Sequence, residues 1–159
     1  MRTPTWLTCL KHGKPKQHEG AIVMAPRIPL PEKTIPKLIK LLDAEFSKYV
    51  RRNYSADGLT VDCFTCGVNR KITEMHNGHY IPRTQSPTRH HESNCRPQCP
   101  GCNTFRSGMP HEFRRNLCLE IGDDAVLEME EESRQAWKWN RYDLAEQIMY
   151  YRNELKGMT

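Results

Sequence analysis

The most regular hydrophobic pattern in the chain begins just after Thr34. Apolar residues recur at intervals of three and four: Ile35, Leu38, Ile39, Leu42, Phe46, Tyr49 and Val50. This spacing predicts a long amphipathic helix with Thr34 as its N-cap and Pro36 in its first turn. The opposite face carries five cations: Lys37, Lys40, Lys48, Arg51 and Arg52. They are typical of a solvated helix surface, and contact with DNA is the less favoured alternative.

Shorter patterns follow this helix. Residues 59–64 alternate apolar and polar side chains, which predicts a strand, and residues 70–75 and 79–81 are candidates for two more. Residues 84–93 are polar and contain a proline, so we expect a loop there. A short helix is expected over residues 103–106.

The last third of the chain has the signals of three helices. Pro110 suits the first turn of a helix over residues 110–120, and Gly122 suits its end. Asp123 can cap a helix over residues 124–136. Asn140 can cap the last helix, whose apolar stripe is Leu144, Ile148, Tyr151 and Leu155.

Two Cys-x-x-Cys pairs frame the middle of the chain: Cys63 with Cys66, and Cys99 with Cys102. Four thiolates form the closed tetrahedral ligand set of a structural zinc. The two-residue gap lets each pair fold as a tight turn, in which Gly67 and Gly101 can adopt a positive φ. The sequence therefore predicts one structural zinc, although the segment between the pairs is longer than in most zinc ribbons.

The composition of the chain limits the size of its core and the kinds of partner it can have. The chain has 159 residues, of which 37% are hydrophobic, so the core is small and a metal cross-link would help it fold. The net charge of +5 modestly favours a polyanionic partner. No apolar run resembles a signal peptide or a membrane span, so we expect a protein of the reducing cytoplasm with no membrane partner. Cys9, Cys95 and Cys118 have no evident role.

A candidate reaction centre lies between the cysteine pairs. His79 lies on the strand predicted over residues 79–81, Asn94 comes later in the segment, and Asn103 directly follows the second pair. This order is typical of the ββα-metal core of His-Asn-His (HNH) nucleases, in which Asn can take the third position. A neutral imidazole at His79 can act as the general base, and Asn103 can offer an oxygen to a catalytic Mg²⁺ or Mn²⁺. Asn94 is expected to brace the loop and to orient His79.

The motifs around these residues resemble the NinG/Rap family of lambdoid phages over roughly residues 37–156. The matching segments are Gly78-His79-Tyr80-Ile81-Pro82-Arg83, Thr88-Arg89, Asn94, Gln98-Cys99-Pro100-Gly101-Cys102-Asn103 and Tyr150-Tyr151-Arg152. The resemblance implies a recombination endonuclease that cuts branched DNA, including Holliday junctions and D-loops. It also implies a location in the cytoplasm of the infected bacterium. Arg83, Arg89 and Arg106 are the candidates for phosphate contacts.

One position departs from the usual nuclease pattern. Many such enzymes place an acidic metal ligand directly before the catalytic histidine, where this chain has Gly78. His76, Glu92 and Glu74 are candidates to replace that ligand. Alternatively, Asn103 is the only protein ligand and water completes the coordination shell.

Together these patterns predict an α+β protein with a small zinc-stabilised, HNH-like ββα-metal core over residues 59–109. A helix and turn (34–58) and a C-terminal helical region (110–159) flank this core, and residues 1–33 form a flexible, basic, proline-rich arm. We expect branched DNA as the partner and consider a homodimer possible. Two alternatives remain: a non-catalytic zinc-dependent nucleic-acid-binding module, and an HNH nuclease of restriction or homing type.

Overall fold

The computed structural model describes residues 33–158. The arm predicted for residues 1–33 therefore lies almost wholly outside the described residues, as does Cys9. The described part contains four helices, α1 (Ile35–Asn53), α2 (Pro110–Ile121), α3 (Asp123–Glu132) and α4 (Arg141–Gly157). It also contains four short strands, β1 (Thr60–Asp62), β2 (Asn69–Lys71), β3 (His76–His79) and β4 (Cys95–Gln98). The fold is therefore a mixture of helices and small sheets, as the sequence predicts.

Helices α1 and α4 form the larger apolar core, and both match their predicted stripes. The residues buried between them are Leu38, Leu42, Phe46, Tyr49, Val50, Leu144, Ile148 and Tyr151, together with Cys95 from β4. Thr34 occupies the N-cap of α1 but makes no side-chain capping hydrogen bond. Asn140 caps α4 as predicted, since its side chain accepts a hydrogen bond from the Tyr142 amide at 2.9 Å.

The strands form two separate antiparallel pairs, β1 with β2 and β3 with β4. The predicted strand over 59–64 is shorter in the structure, and most of the segment 70–75 is a helical turn, Ile72–Glu74, after β2. The prediction of a strand over 79–81 was wrong, because β3 ends at His79. Beyond that point the amide of Ile81 bonds to the Asn94 side chain at 2.7 Å, so it is no longer available to a strand partner.

Strand β4 was not expected from the sequence. Its residues, Cys-Arg-Pro-Gln, lack β-branched side chains and include a proline, yet all four are buried. In the register with β3, His76 lies opposite Gln98 and His79 opposite Cys95. The carbonyl of Pro97 accepts a hydrogen bond from the Phe64 amide at 2.9 Å, so β4 also holds the first cysteine turn.

Helices α2 and α3 enclose a second core with Ile81, in which Phe113, Leu117, Val126 and Met129 are buried. Gly122, at φ +88°, separates the two helices. Helix α3 is shorter than the predicted 124–136, since it ends at Glu132. Its last turn carries three glutamates, whose negative charges are repelled by the negative end of the helix dipole. This repulsion disfavours extending the helix beyond Glu132. Among residues 33–158, no helix is long and apolar enough to cross a membrane.

Candidate metal centre and adjoining cleft

The two cysteine pairs come together as the sequence predicts. The Sγ atoms of Cys63, Cys66, Cys99 and Cys102 all lie within 4.8 Å of one another. Those of Cys66 and Cys99 are 3.8 Å apart. A tetrahedral ion with metal–sulfur bonds of about 2.3 Å requires sulfur–sulfur distances of about 3.8 Å. The cluster can therefore hold a structural metal such as zinc with little rearrangement.

Each pair is shaped by backbone hydrogen bonds. The Gly67 amide donates to the Cys63 carbonyl at 2.8 Å, and Gly67 adopts φ +73°. The Asn103 amide donates to the Cys99 carbonyl at 2.9 Å and starts the helical turn Gly101–Phe105. Gly101 lies inside this turn and, contrary to expectation, is not among the residues with positive φ. The first turn therefore needs a glycine, and the second is an ordinary helical start.

The electrostatics of the cluster favour a bound cation. Burial opposes ionisation of Cys63, but hydrogen bonds from the Thr65 hydroxyl and the Cys99 amide lower its pKa to about 6. Burial, together with the neighbouring thiols Cys66 and Cys99, raises the pKa of Cys102 to about 12. Four thiolates this close repel one another unless a cation lies between them.

Beside the cysteine cluster, a cleft opens between α1 and β3. Its lining includes His76, Asn77 and His79 from β3, Asn103 from the helical turn, Arg83, and Lys40, Asp43, Ser47 and Arg51 from α1. Asn103 Nδ2 donates a hydrogen bond to His76 Nδ1 at 3.0 Å, and the Thr104 hydroxyl lies 3.5 Å from the same nitrogen. The structure thus brings together four residues chosen from the sequence: His76, His79, Arg83 and Asn103.

His79 is held between two backbone carbonyls. Its Nδ1 lies 3.2 Å from the Asn77 oxygen, and its Nε2 lies 3.1 Å from the Arg89 oxygen. Burial lowers the pKa of His79 to about 4, so the ring is neutral at pH 7. A neutral ring has one N–H and can donate to only one of these carbonyls. The other nitrogen carries a lone pair that the protein does not satisfy.

Asn94 lies outside the cleft, fully buried behind the loop of residues 80–94. Its side-chain oxygen accepts from the Ile81 amide at 2.7 Å. Its side-chain nitrogen donates to the carbonyls of Ile81 and Thr88, both at 3.0 Å. These three bonds tie the end of β3 to the loop that carries Arg89, whose carbonyl contacts His79.

The three candidate arginines have different surroundings. Arg83 is exposed and lines the cleft. The Arg89 guanidinium instead donates to both carboxylate oxygens of Asp43. Arg106 is exposed just after the helical turn and is not among the residues that line the cleft.

The surroundings of Gly78 and Glu92 show why neither position provides the acidic ligand that is usual in such nucleases. A Cβ at Gly78 would clash with Gln98 Oε1, so the fully buried Gln98 side chain occupies the space that an acid would need. Glu92 is directed elsewhere, because its carboxylate accepts a hydrogen bond from the Tyr49 hydroxyl at 3.3 Å. Neither position supplies a carboxylate to the cleft.

Asp43 contributes a carboxylate to the lining of the cleft, although the sequence did not predict this residue. His90 Nε2 donates to its Oδ1 at 2.7 Å, in addition to the two bonds from Arg89. Burial opposes ionisation, but these three hydrogen bonds hold the pKa of the Asp43 carboxyl well below its usual range. The only sequence signal was that Asp43 is one of two acids in α1, the other being Glu45.

Fold and site together define a small α+β protein with a cluster of four cysteines that can hold a metal, beside a cleft that carries histidines and an asparagine. Residues 30–159 match the family model described as Bacteriophage Lambda NinG protein. The chain therefore belongs to the NinG family of phage proteins, in agreement with the motifs around Gly78–Arg83 and Gln98–Asn103. No curated protein and no solved structure matches it significantly.

Proposed function

We propose that this chain is a divalent-metal-dependent endonuclease that hydrolyses phosphodiester bonds in branched recombination intermediates such as Holliday junctions and D-loops. The observation that carries the proposal is the 3.0 Å contact of His76 with Asn103 in a cleft that also holds His79. The order of β3, β4 and the helical turn after Cys99 supports an HNH-like ββα arrangement. Membership of a phage family supports the recombination setting.

In this proposal the cysteine cluster holds zinc and has no chemical role. Cys99 and Cys102 lie at the start of the turn that carries Asn103, and Cys63 is linked to Cys99 through a hydrogen bond of 3.3 Å. A bound zinc would therefore fix Asn103 relative to β3, which carries both histidines. Loss of zinc should therefore let Asn103 move away from the two histidines of β3.

The donors in the cleft fit a weakly held catalytic cation. His76 Nδ1 can offer its lone pair once the Asn103 amino group, which donates to it at 3.0 Å, turns away, and the same amide of Asn103 carries an oxygen. Asn77 Oδ1 is buried without a hydrogen-bond partner among the described residues. The Asp43 carboxylate is not counted among these ligands, because Arg89 and His90 already donate hydrogen bonds to it. Such a set suits an ion that keeps several waters and also binds substrate phosphate. When bound, Mg²⁺ or Mn²⁺ would supply charge stabilisation at the scissile phosphate and the leaving oxygen.

His79 is the proposed general base. We infer that its Nδ1–H donates to the Asn77 carbonyl, which belongs to the same strand, so that Nε2 keeps the lone pair. Nε2 can then take a proton from the attacking water once the Arg89 carbonyl moves aside. A DNA phosphate in the cleft would raise the pKa of His79, because negative charge favours the protonated ring.

A non-catalytic zinc-dependent nucleic-acid-binding module is the second candidate, and one observation favours it. Both ring nitrogens of His79 contact backbone carbonyls, as in a purely structural histidine. In that case the cysteine cluster and the basic side chains of the cleft would bind DNA without cutting it. Cleavage activity separates the two proposals.

The test uses purified protein with labelled four-way, D-loop, Y-shaped and linear duplex DNA, with Mg²⁺, with Mn²⁺ or without added divalent cation. His79→Ala should cut roughly 10²–10⁴-fold more slowly than wild type, the usual scale for losing a general base. Its zinc content and junction affinity should stay unchanged. Asn103→Ala should also be impaired and be partly rescued by higher cation concentration. His111→Ala, an exposed histidine on α2, is the matched control and should cut normally.

The results discriminate among the candidates. If the wild-type protein binds junctions but cuts no substrate with either cation, the binding module is correct. If it cuts linear duplex as fast as branched DNA, an HNH nuclease of restriction or homing type is favoured. Equal and opposed cuts across a junction would point to a homodimer, because two sites are then needed.

A further inference from the structure

The basic residues of α1 have different environments in the structure. Arg52 donates hydrogen bonds to the carbonyls of Gly58 and Met158, so it joins the turn after α1 to the C-terminal end of α4. Lys48 forms an ion pair with Glu45 at 3.3 Å, and its side chain is 58% exposed. Arg51 and Lys40, in contrast, line the cleft that holds His76 and Asn103.

Arg51 is an unusual cation because it is half-buried without an acidic partner. Its Nη1 donates to the Ser47 hydroxyl at 2.7 Å, which fixes the guanidinium one helical turn away. Among residues 33–158, no carboxylate lies within salt-bridge distance of Arg51. Burial lowers the pKa of Arg51, and no nearby charge offsets that effect. A desolvated guanidinium is stabilised by an anion that completes its hydrogen bonds.

Three cleft residues lie on one face of α1. Lys40, Ser47 and Arg51 are separated by seven and four positions, which places them along one stripe of the helix. The stripe is about 16 Å long at a rise of 1.5 Å per residue. It faces β3, which carries the histidines, so a DNA strand in the cleft would have its backbone between α1 and the proposed reacting groups.

We propose that Arg51, held by Ser47, is a phosphate-binding residue that seats the DNA backbone beside the His76–Asn103 pair, with Lys40 contacting a neighbouring phosphate. This inference rests on the proposed function and adds the residues of α1 that position the substrate. The planar guanidinium can donate two hydrogen bonds to one phosphate, whereas a lysine in its place acts only as a point charge.

The test measures affinity for a synthetic four-way junction at several salt concentrations, without added divalent cation. Arg51→Gln should raise Kd about tenfold, the scale of one charge-assisted hydrogen bond, and should reduce the log–log salt slope by about one. Lys48→Gln is the control: it makes the same charge change on the same helix outside the cleft, and it should bind like wild type. Arg51→Lys should keep the salt slope but bind more weakly. Ser47→Ala should also weaken binding at an unchanged slope.

The Arg51 variants distinguish a specific phosphate contact from a general effect of charge. If Arg51→Gln and Lys48→Gln change binding equally, only net charge matters and the inference is wrong. If Arg51→Gln melts at a lower temperature than wild type, Arg51→Lys decides: wild-type affinity in that variant overturns the role of the guanidinium. Cleavage by the wild-type protein tests the proposed function. Junction affinity of the α1 variants, measured without divalent cation, tests this inference, so the two can fail independently.

Discussion

The guanidinium of Arg89 donates hydrogen bonds of 2.9 Å and 2.6 Å to the two carboxylate oxygens of Asp43. The bonds join the loop of residues 80–94 to α1, which forms one wall of the cleft. The same carboxylate accepts a hydrogen bond from His90 at 2.7 Å. A residue that the sequence suggested as a DNA contact is therefore already engaged inside the protein.

This pairing leads to different expectations for two arginines. Arg83→Gln should reduce the log–log salt slope of junction binding by about one, because Arg83 is exposed in the cleft and free to meet a phosphate. Arg89→Gln should leave the slope nearly unchanged and lower the melting temperature instead. The measurement is junction affinity over a salt series, with thermal unfolding of the same samples. A reduced slope in Arg89→Gln at normal stability would show that Arg89 leaves Asp43 to bind DNA.

Asp43→Asn should destabilise the protein by roughly 2 kcal/mol at pH 7, the scale of losing hydrogen bonds to a charged group. Hydrogen bonds hold the pKa of the Asp43 carboxyl below its unfolded value of 3.8. The stabilisation is therefore present above pH 3.8 and is lost as pH falls below it. Urea unfolding at several pH values should show the gap between wild type and Asp43→Asn closing in acid. Glu146→Gln, an exposed site on α4, should show no gap at any pH.

Among residues 33–158, Arg96 is the largest side chain that is almost completely buried, and it should tolerate little change. It donates to both oxygens of Glu120, at 3.0 Å and 3.1 Å, and also to the carbonyls of Glu92 and Cys95. Arg96→Lys cannot reproduce this set, because an ammonium lacks the planar fork. We expect a loss of about 3 kcal/mol in unfolding free energy, the lower end for a broken buried ion pair. Arg115→Lys, exposed on α2, is the control. Equal stability of the two variants would contradict the assignment.

The extent to which the sequence predicts this fold depends on the kind of element. Helices α1 and α4 were predictable, because each presents one continuous apolar stripe that has to be buried. Strand β4 was not, since its residues lack β-branched side chains and include a proline, and its burial follows from contacts made by other segments. Arg96, for example, is buried where Glu120, the carbonyls of Glu92 and Ser93, and the carbonyl of Cys95 in β4 accept its hydrogen bonds.

The site shows the same division. The spacing of the cysteine pairs was enough to predict the cluster, because each pair is a local turn. The contact of His76 with Asn103 depends on the register of β3 with β4, which the sequence alone does not determine. Asp43 could not be found at all, since its partners lie in a loop far along the chain and its neighbours on α1 give no signal.

Cys99→Ser should abolish binding of one zinc per chain and most of the cooperative melting transition. The reason is geometric: four Sγ atoms within 4.8 Å suit a tetrahedral ion, and three thiolates with a hydroxyl bind it far less well. Elemental analysis and thermal unfolding provide the measurements. Cys118→Ser is the matched control, because Cys118 lies on α2 outside the cluster and should leave the zinc content unchanged. Normal melting of a zinc-free Cys99→Ser protein would show that the cluster is not structural.

The proposed base makes a prediction about acid conditions. Burial lowers the pKa of His79 to about 4, well below the usual value of 6.5. The basic form therefore persists in mildly acidic solution, and kcat/KM for junction cleavage should stay level from pH 7 to about pH 5 and fall near pH 4. An unperturbed histidine would instead lose activity below pH 6.5. Cleavage rates at limiting substrate across this pH range distinguish the two profiles.

The same shift makes His79 contribute to acid sensitivity of the fold. Because the folded-state pKa is lower than the unfolded one, the unfolded chain binds more protons between pH 6.5 and about 4. Stability must therefore fall as pH is lowered through this window. His79→Gln removes the titrating group, so the wild-type protein should lose stability relative to this variant as pH falls. The unfolding free energies of the two proteins are compared across this window, with His111→Gln, at an exposed position, as the control. Suppose instead that the difference in unfolding free energy stays constant from pH 6.5 to 4. His79 would then take up a proton in the folded protein as readily as in the unfolded chain, and burial would not be keeping the ring neutral.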